Sequence, residues 1–154
     1  MSDSVLQIRD LRVTFNTQMG ELRAVRGVDV DVAAGNILGV VGESGSGKSV
    51  SFLAAMGLLP KSATVTGSVM LDGHELIGAK KKFVRSVRGR LLSMVFQDPL
   101  SALNPVHRVG DQIVEMIQSH QDMATHDAQK RAVELLEIVG IPQPCLLYTS
   151  PSPR

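Results

Sequence analysis

Gly42-Glu43-Ser44-Gly45-Ser46-Gly47-Lys48-Ser49 fits the phosphate-binding pattern G-x-x-x-x-G-K-[ST] at every fixed position. The spacing follows from the chemistry. Glycines let the backbone curl until successive N–H groups converge on phosphate oxygens. Lys48 can neutralise β- and γ-phosphates, and the Ser49 hydroxyl can ligand Mg²⁺. A helix starting here aims its positive end at the same anion.

The surroundings support that reading over a chance Gly/Ser-rich turn. Ile37-Leu38-Gly39-Val40-Val41 is an apolar run before the loop, and it reads as a parallel strand buried on both faces. Val50 to Met56 can form a helix, ended near Gly57 and Pro60.

Upstream, Val5 to Phe15 reads as a strand whose apolar members are Ile8, Leu11, Val13 and Phe15. Met19-Gly20 marks a turn, Val28 to Val32 alternates as a half-exposed strand, and Gly35-Asn36 is a second turn. Downstream, Gly67 to Leu71 reads as a strand, with a turn at Asp72-Gly73 and a further buried strand over Leu91 to Phe96. Between them, Lys80 to Arg90 carries six basic residues and no acidic one, which favours a solvated face over a phosphate-binding patch.

Two amphipathic helices should follow. Val109, Ile113, Met116 and Ile117 form one stripe. The second helix, with Thr125 as N-cap and Asp127 in its first turn, has the stripe Ala128, Ala132, Leu135, Leu136 and Val139; Gly140 and Pro142 stop it. The plan is layered α/β with no internal repeat.

The 154 residues are 44% hydrophobic and 20% charged, with net charge +1, as in one globular domain or part of a larger one. That balance gives no global drive toward nucleic acid or an anionic membrane. No apolar run approaches the ~20 residues that span a bilayer, and the N-terminus lacks a secretion signal, so a cytoplasmic location is expected. Cys145 is the only cysteine, which excludes an internal disulfide. His74, His107, His120 and His126 show no metal-ligand spacing and read as surface or helix residues.

Leu38 to Ser49 resembles the Walker A segment of ATP-binding cassette (ABC) transporter ATPases, and Met94-Val95-Phe96-Gln97-Asp98-Pro99 resembles their Q-loop. The continuation Leu100-Ser101-Ala102-Leu103-Asn104-Pro105, then Val109-Gly110-Asp111-Gln112-Ile113, is similar to the oligopeptide, dipeptide and nickel importer branch. The resemblance covers nearly all of residues 4 to 143.

The resemblance implies an ABC-type P-loop NTPase fold: a β-rich front, a RecA-like strand–P-loop–helix core and the start of a helical subdomain. It implies ATP and Mg²⁺ as ligands. Gly42, Glu43, Ser44, Gly45, Ser46, Gly47, Lys48 and Ser49 would hold the phosphates, with Ser49 and Gln97 on Mg²⁺. Gln97 would also sense the γ-phosphate side. Phe15 aligns with the aromatic that stacks on adenine, and a core role is the competing explanation. Implied partners are transmembrane permease subunits, a second ATP-binding subunit (the same or a different chain) and, indirectly, a solute-binding protein. No nucleic acid is expected, and the implied location is peripheral, on the cytoplasmic face of the inner membrane.

The sequence departs from the family pattern after the Q-loop. It contains no Leu-Ser-Gly-Gly-Gln signature, no Walker B strand with its catalytic Glu and no switch His. His107 stands too close to Gln97 for the last of these. An incomplete core sheet is therefore expected, with ATP binding at most and no complete catalytic set; Gln97 is only a supporting residue. Cys145 to Arg154 breaks the preceding pattern and matches the translation of a DNA string that resembles a transposase-based sequencing adaptor. The expected organisation is a truncated nucleotide-binding domain over 4–144 and a non-native tail over 145–154. An apolar Walker A strand without its neighbour should make the chain poorly soluble or only partly folded. The two alternative readings are a soluble non-transport ABC ATPase acting on nucleic acid, and a nucleotide-binding fragment without turnover.

Overall fold

Leu6 and Ile8 are two positions apart, as are Leu11, Val13 and Phe15 in turn, but Leu11 lies three positions after Ile8. A regular strand would turn one of these sets toward solvent. In the computed structural model, which describes residues 4–97 and 103–141, both sets face one core because the strand bulges between them. Strand β1 (Ser4–Thr17) pairs Arg9 with Ser68 and Arg12 with Thr66, so Asp10 and Leu11 together oppose Gly67. Asp10 takes a positive φ of 42°, and its amide donates to the Asp29 carboxylate at 2.6 Å. Gly67 sits at φ 100°, where an added Cβ would lie 2.5 Å from the Asp10 carbonyl oxygen. The bulge thus depends on glycine across the ladder.

The chain divides into two compact units, 1–92 and 93–154. In the first, β1 lies between β2 (Gly20–Ala33) and β3 (Ala63–Leu71), and β3 pairs with the short β4 (His74–Glu75). Every ladder is antiparallel. Asp72 and Gly73, at φ 51° and 77°, form the two-residue turn between β3 and β4. Helix α1 (Lys48–Ala55) places Ala54 and Ala55 in the core with Ile8, Leu11, Val13, Val25, Val69 and Leu71. Ile8, Leu11, Val13 and Val69 are wholly buried, each worth about 1.5–3 kcal/mol against exposure.

Glu75 fastens the β3–β4 hairpin. Its carboxylate accepts from the Ser68 hydroxyl, the Val69 amide (2.9 Å) and the Ile77 amide (2.8 Å). Burial pushes this carboxyl up, but the Ser68 bond and the backbone amides outweigh it and hold it below the usual glutamate range.

Two expected strands do not form. Residues 37–41 join no ladder, and Ile37 and Val41 are almost fully exposed. Residues 91–96 make only the single bridge between Arg88 and Leu92, with Val95 93% exposed. A strand buried on both faces needs flanking strands for its N–H and C=O groups, and no described segment supplies them. The described sheet is therefore the antiparallel front alone.

After α2 (Lys81–Val87), the second unit pairs α3 (Val109–His120) with α4 (Thr125–Ile138) through Val114, Ile117, Ala128 and Ala132. The expected α3 stripe is partly wrong: Met116 is 62% exposed and Val114 is buried instead. Val139 is also exposed, and Thr125 opens α4 as its first residue after the N-cap Ala124. Gly140, at φ 78°, donates to Glu137 O and Ile141 to Leu136 O, which closes the helix as expected. Pro142 lies outside the described residues. Gln112 pins the turn before α3: its amide donates to Asn104 O (3.0 Å) and His107 O (3.1 Å), while its oxygen accepts from Asn104 N (2.8 Å).

Candidate phosphate-binding site

The loop over 42–47 has no ladder to hold it, so its shape comes from local contacts. Gly45 and Gly47 take φ 79° and 90°, and Ser46 N donates to Glu43 O at 3.2 Å. Gly47 is buried against β2: a Cβ there would lie 2.8 Å from the Ala24 carbonyl oxygen and 3.3 Å from Val25. Only glycine satisfies both that approach and that φ. Ser51 locks the junction, donating to Gly47 O from its amide and its buried hydroxyl, both at 2.9 Å.

Helix α1 begins at Lys48 with no side-chain cap and no acidic residue in its first turn. The first-turn amides of any helix have no carbonyl partner inside it, so this end offers donors and a positive dipole to an anion. The Lys48 ammonium curls over the loop, donating to Gly42 O (2.5 Å), Glu43 O (2.7 Å) and Ser46 Oγ (3.1 Å). A phosphate oxygen would place opposite charges on both sides of the bond, so phosphate can compete with these carbonyls for the ammonium. The loop interior is tight: a Cβ on Gly42 would lie 2.9 Å from Ser46 Oγ. Positive φ glycines, a capless helix end and a lysine ammonium over the loop suit a polyphosphate, and the exposed Ser49 hydroxyl suits an added hard cation.

The structure brings together Gly42 to Ser49. Phe15 is placed separately, at the end of β1 opposite Leu22 and Ala63, half-buried and packed against the core. A packing role for Phe15 is thus visible. Gln97 is exposed and belongs to the second unit; its expected companions Asp98 and Pro99 lie outside the described residues. All four histidines are exposed. Among the described residues no three His, Cys, Asp or Glu side chains cluster to hold a metal, and no helix is long and apolar enough to cross a membrane.

Within the basic run, Lys80, Lys81, Lys82, Arg85 and Arg90 are exposed as expected. Arg88 is not a solvated charge: its Nε donates to Met56 O at 2.7 Å and its Nη2 to Gly57 O at 2.6 Å. Sequence reasoning missed it because the partners stand more than thirty positions away and five similar residues surround it.

Residues 25–148 match the ABC transporter family. The chain is 50% identical over 141 residues to the oligopeptide transport ATP-binding protein OppD of Mycobacterium tuberculosis, covering 91% of this chain and 23% of that protein. It is 44% identical over 142 residues to the OppD of Bacillus subtilis, covering 91% and 40%. It therefore spans less than half the length of these relatives. The solved ATP-binding cassette MJ0796, a dimer bound to ADP and Pi, has a similar fold: TM-score 0.69 at 19% identity, over 86% of this chain and 56% of that one. The loop-before-helix element, the antiparallel front and these matches agree, and the chain belongs to the ABC transporter family.

Proposed function

We propose that this chain is the N-terminal part of the ATP-binding subunit of an ABC importer that takes up peptides or a related solute such as nickel or an opine. The observation that carries the reading is the loop over 42–49, closed by Lys48 and seated on β2 through Gly47. The peptide-transport relatives support the importer branch.

In this reading Gly42 to Gly47 present amides to the β- and γ-phosphates, and Lys48 leaves its carbonyl partners for them. Ser49 and Gln97 would hold Mg²⁺, which when bound neutralises phosphate charge. Phe15 would stack on adenine in addition to its packing role. The intact subunit would dimerise across two nucleotides, contact permease subunits and lie peripherally on the cytoplasmic face of the inner membrane. ATP would drive closure by binding the closed state more tightly than the open one. The nucleotide-binding domain would occupy 4–144, and 145–154 would be foreign to it. Reading the genomic locus without adaptors tests the tail: codons for Cys145 to Arg154 at that position defeat it.

The functional experiment measures ATP binding and phosphate release on the same sample. We expect saturable Mg-ATP binding that Lys48→Ala reduces at least ~10-fold, with no phosphate release by this chain alone. Absence of binding in folded protein contradicts the proposal, and turnover shows a catalytic group outside those assigned.

A further inference from the structure

Strand β1 turns Leu11, Val13 and Phe15 into the core, so Arg12, Thr14 and Asn16 lie on the opposite face of the sheet. The ladders set neighbours beside them. Arg12 stands opposite Arg26 of β2 and Thr66 of β3, and Thr14 stands opposite Arg23 and Thr64. These six side chains form two rows across three strands, and they line a cavity of about 730 Å³. Strands lie about 4.8 Å apart and alternate residues about 7 Å apart, so the rows cover about 10 by 7 Å of sheet. No residue of the phosphate loop lines this cavity.

The charges here do not cancel within the fold. Arg12 and Arg26 are like charges directly across a ladder, which weakens a sheet rather than holding it. Asp10 fixes Arg12: Nε donates to Asp10 Oδ1 at 3.0 Å, and the guanidinium reaches β2, where a Cβ on Gly27 would come 3.4 Å from Nη2. Asp10 takes only the Nε–Nη2 edge of that fork, so donors remain for a ligand. Arg23 and Arg26 are exposed and have no carboxylate partner among the described residues. Glu21, opposite Asn16 at one end, is the only carboxylate lining the cavity, against three guanidiniums. We propose that this face is a second anion site, which takes a free small molecule carrying two or more phosphate groups. Guanidinium forks match phosphate oxygens, their long stems let both rows reach one ligand, and the threonine hydroxyls add donors. Val25 is the only apolar residue in the lining, so nothing there receives an acyl chain. A flat anionic membrane would also press on Glu21, which a small ligand avoids. The proposal does not rest on the nucleotide reading above.

The test uses the whole 154-residue chain, kept soluble as a fusion and carrying Lys48→Ala to weaken the phosphate loop. Inorganic pyrophosphate is titrated by calorimetry at low salt without Mg²⁺. One saturable binding event is expected. Adding Arg23→Gln or Arg26→Gln should weaken it ~10-fold or more, as charge-assisted bonds are lost. Lys81→Gln/Arg85→Gln removes two exposed charges from α2 and should change affinity less than ~2-fold. Arg26→Gln also relieves the like-charge pair, so its chemical-denaturation midpoint should be no lower than that of its parent. If Arg26→Gln does not fold, Arg23→Gln, which faces Thr14 rather than a like charge, decides. Absence of saturable binding in the folded Lys48→Ala chain overturns the proposal. So does a loss in the α2 control as large as in the arginine variants, which would mean that overall charge alone attracts the ligand. Co-sedimentation with phosphatidylserine vesicles in the absence of pyrophosphate binding gives the face to a membrane and overturns it too. If ATP does not bind the loop, the nucleotide reading fails and this one stands; pyrophosphate binding lost entirely with Lys48→Ala sinks only this one.

Discussion

Gly45 and Gly47 separate two demands that a P-loop pattern merges. Both hold positive φ, but only Gly47 has a neighbour where a Cβ would go; Gly45 has none within 4 Å. Gly45→Ala should cost about 1–2 kcal/mol, the price of an L residue in left-handed space. Gly47→Ala adds a clash with the Ala24 carbonyl and should cost about 3 kcal/mol or more, with the loop displaced from β2. Chemical denaturation of the two variants checks the order; equal losses would show that φ alone decides. Phe15 admits a similar separation. Phe15→Leu keeps apolar bulk against the core, so it should weaken ATP binding by about 1–3 kcal/mol if the ring stacks on adenine, with stability nearly retained. Unchanged affinity in that variant assigns Phe15 to packing only.

At the scale of elements, the β3–β4 hairpin should be acid-sensitive through Glu75. Its carboxyl is held below its ordinary value, so its contribution to stability is complete above pH ~4.5 and fades as pH falls through the lowered native value. Glu75→Gln should lose about 1–3 kcal/mol at neutral pH and flatten the acid limb; an unchanged pH profile contradicts the assigned role. Gly67→Ala, which would drive a Cβ into the Asp10 carbonyl, should disrupt the bulge and cost at least about 2 kcal/mol in the same assay. These elements also show what could be read in advance. The Asp72-Gly73 turn, the alternation from Val28 to Val32 and the glycine closing α4 were legible because each is decided within a few residues. The bulge left a trace in the three-residue step from Ile8 to Leu11, but a trace only of broken parity. The strands expected over 37–41 and 91–96 were not decided locally: an apolar run becomes a strand only when another strand accepts its hydrogen bonds. Met116 and Val114 changed places because two faces of α3 are apolar and α4 selects one. In the site, the loop was legible from its motif, whereas the Arg88 clasp depends on chain folding and left no local mark.

For the whole molecule, the antiparallel front and the α3–α4 pair each have a core, while Ile37, Val41 and Val95 stand almost fully exposed. Apolar segments with unpaired backbone groups invite association between copies. Light scattering should show self-association of this chain alone, and thermal melting should be broad; a monomer with one sharp cooperative transition would contradict this. Arg9–Asp31 links β1 to β2 at 2.7 Å and Arg12–Asp10 lies within β1 at 2.8 Å, but both pairs are exposed and offset little of that liability. The central claim concerns the loop, and it can be measured despite the exposed apolar segments by keeping the chain soluble as a fusion. Equilibrium titration with a fluorescent ATP analogue, with and without Mg²⁺, should show saturable binding that unlabelled ATP displaces and that Lys48→Ala reduces at least ~10-fold, as expected for loss of a charge-assisted phosphate contact. Binding that is absent from the folded fusion, or indifferent to Lys48, would contradict the account.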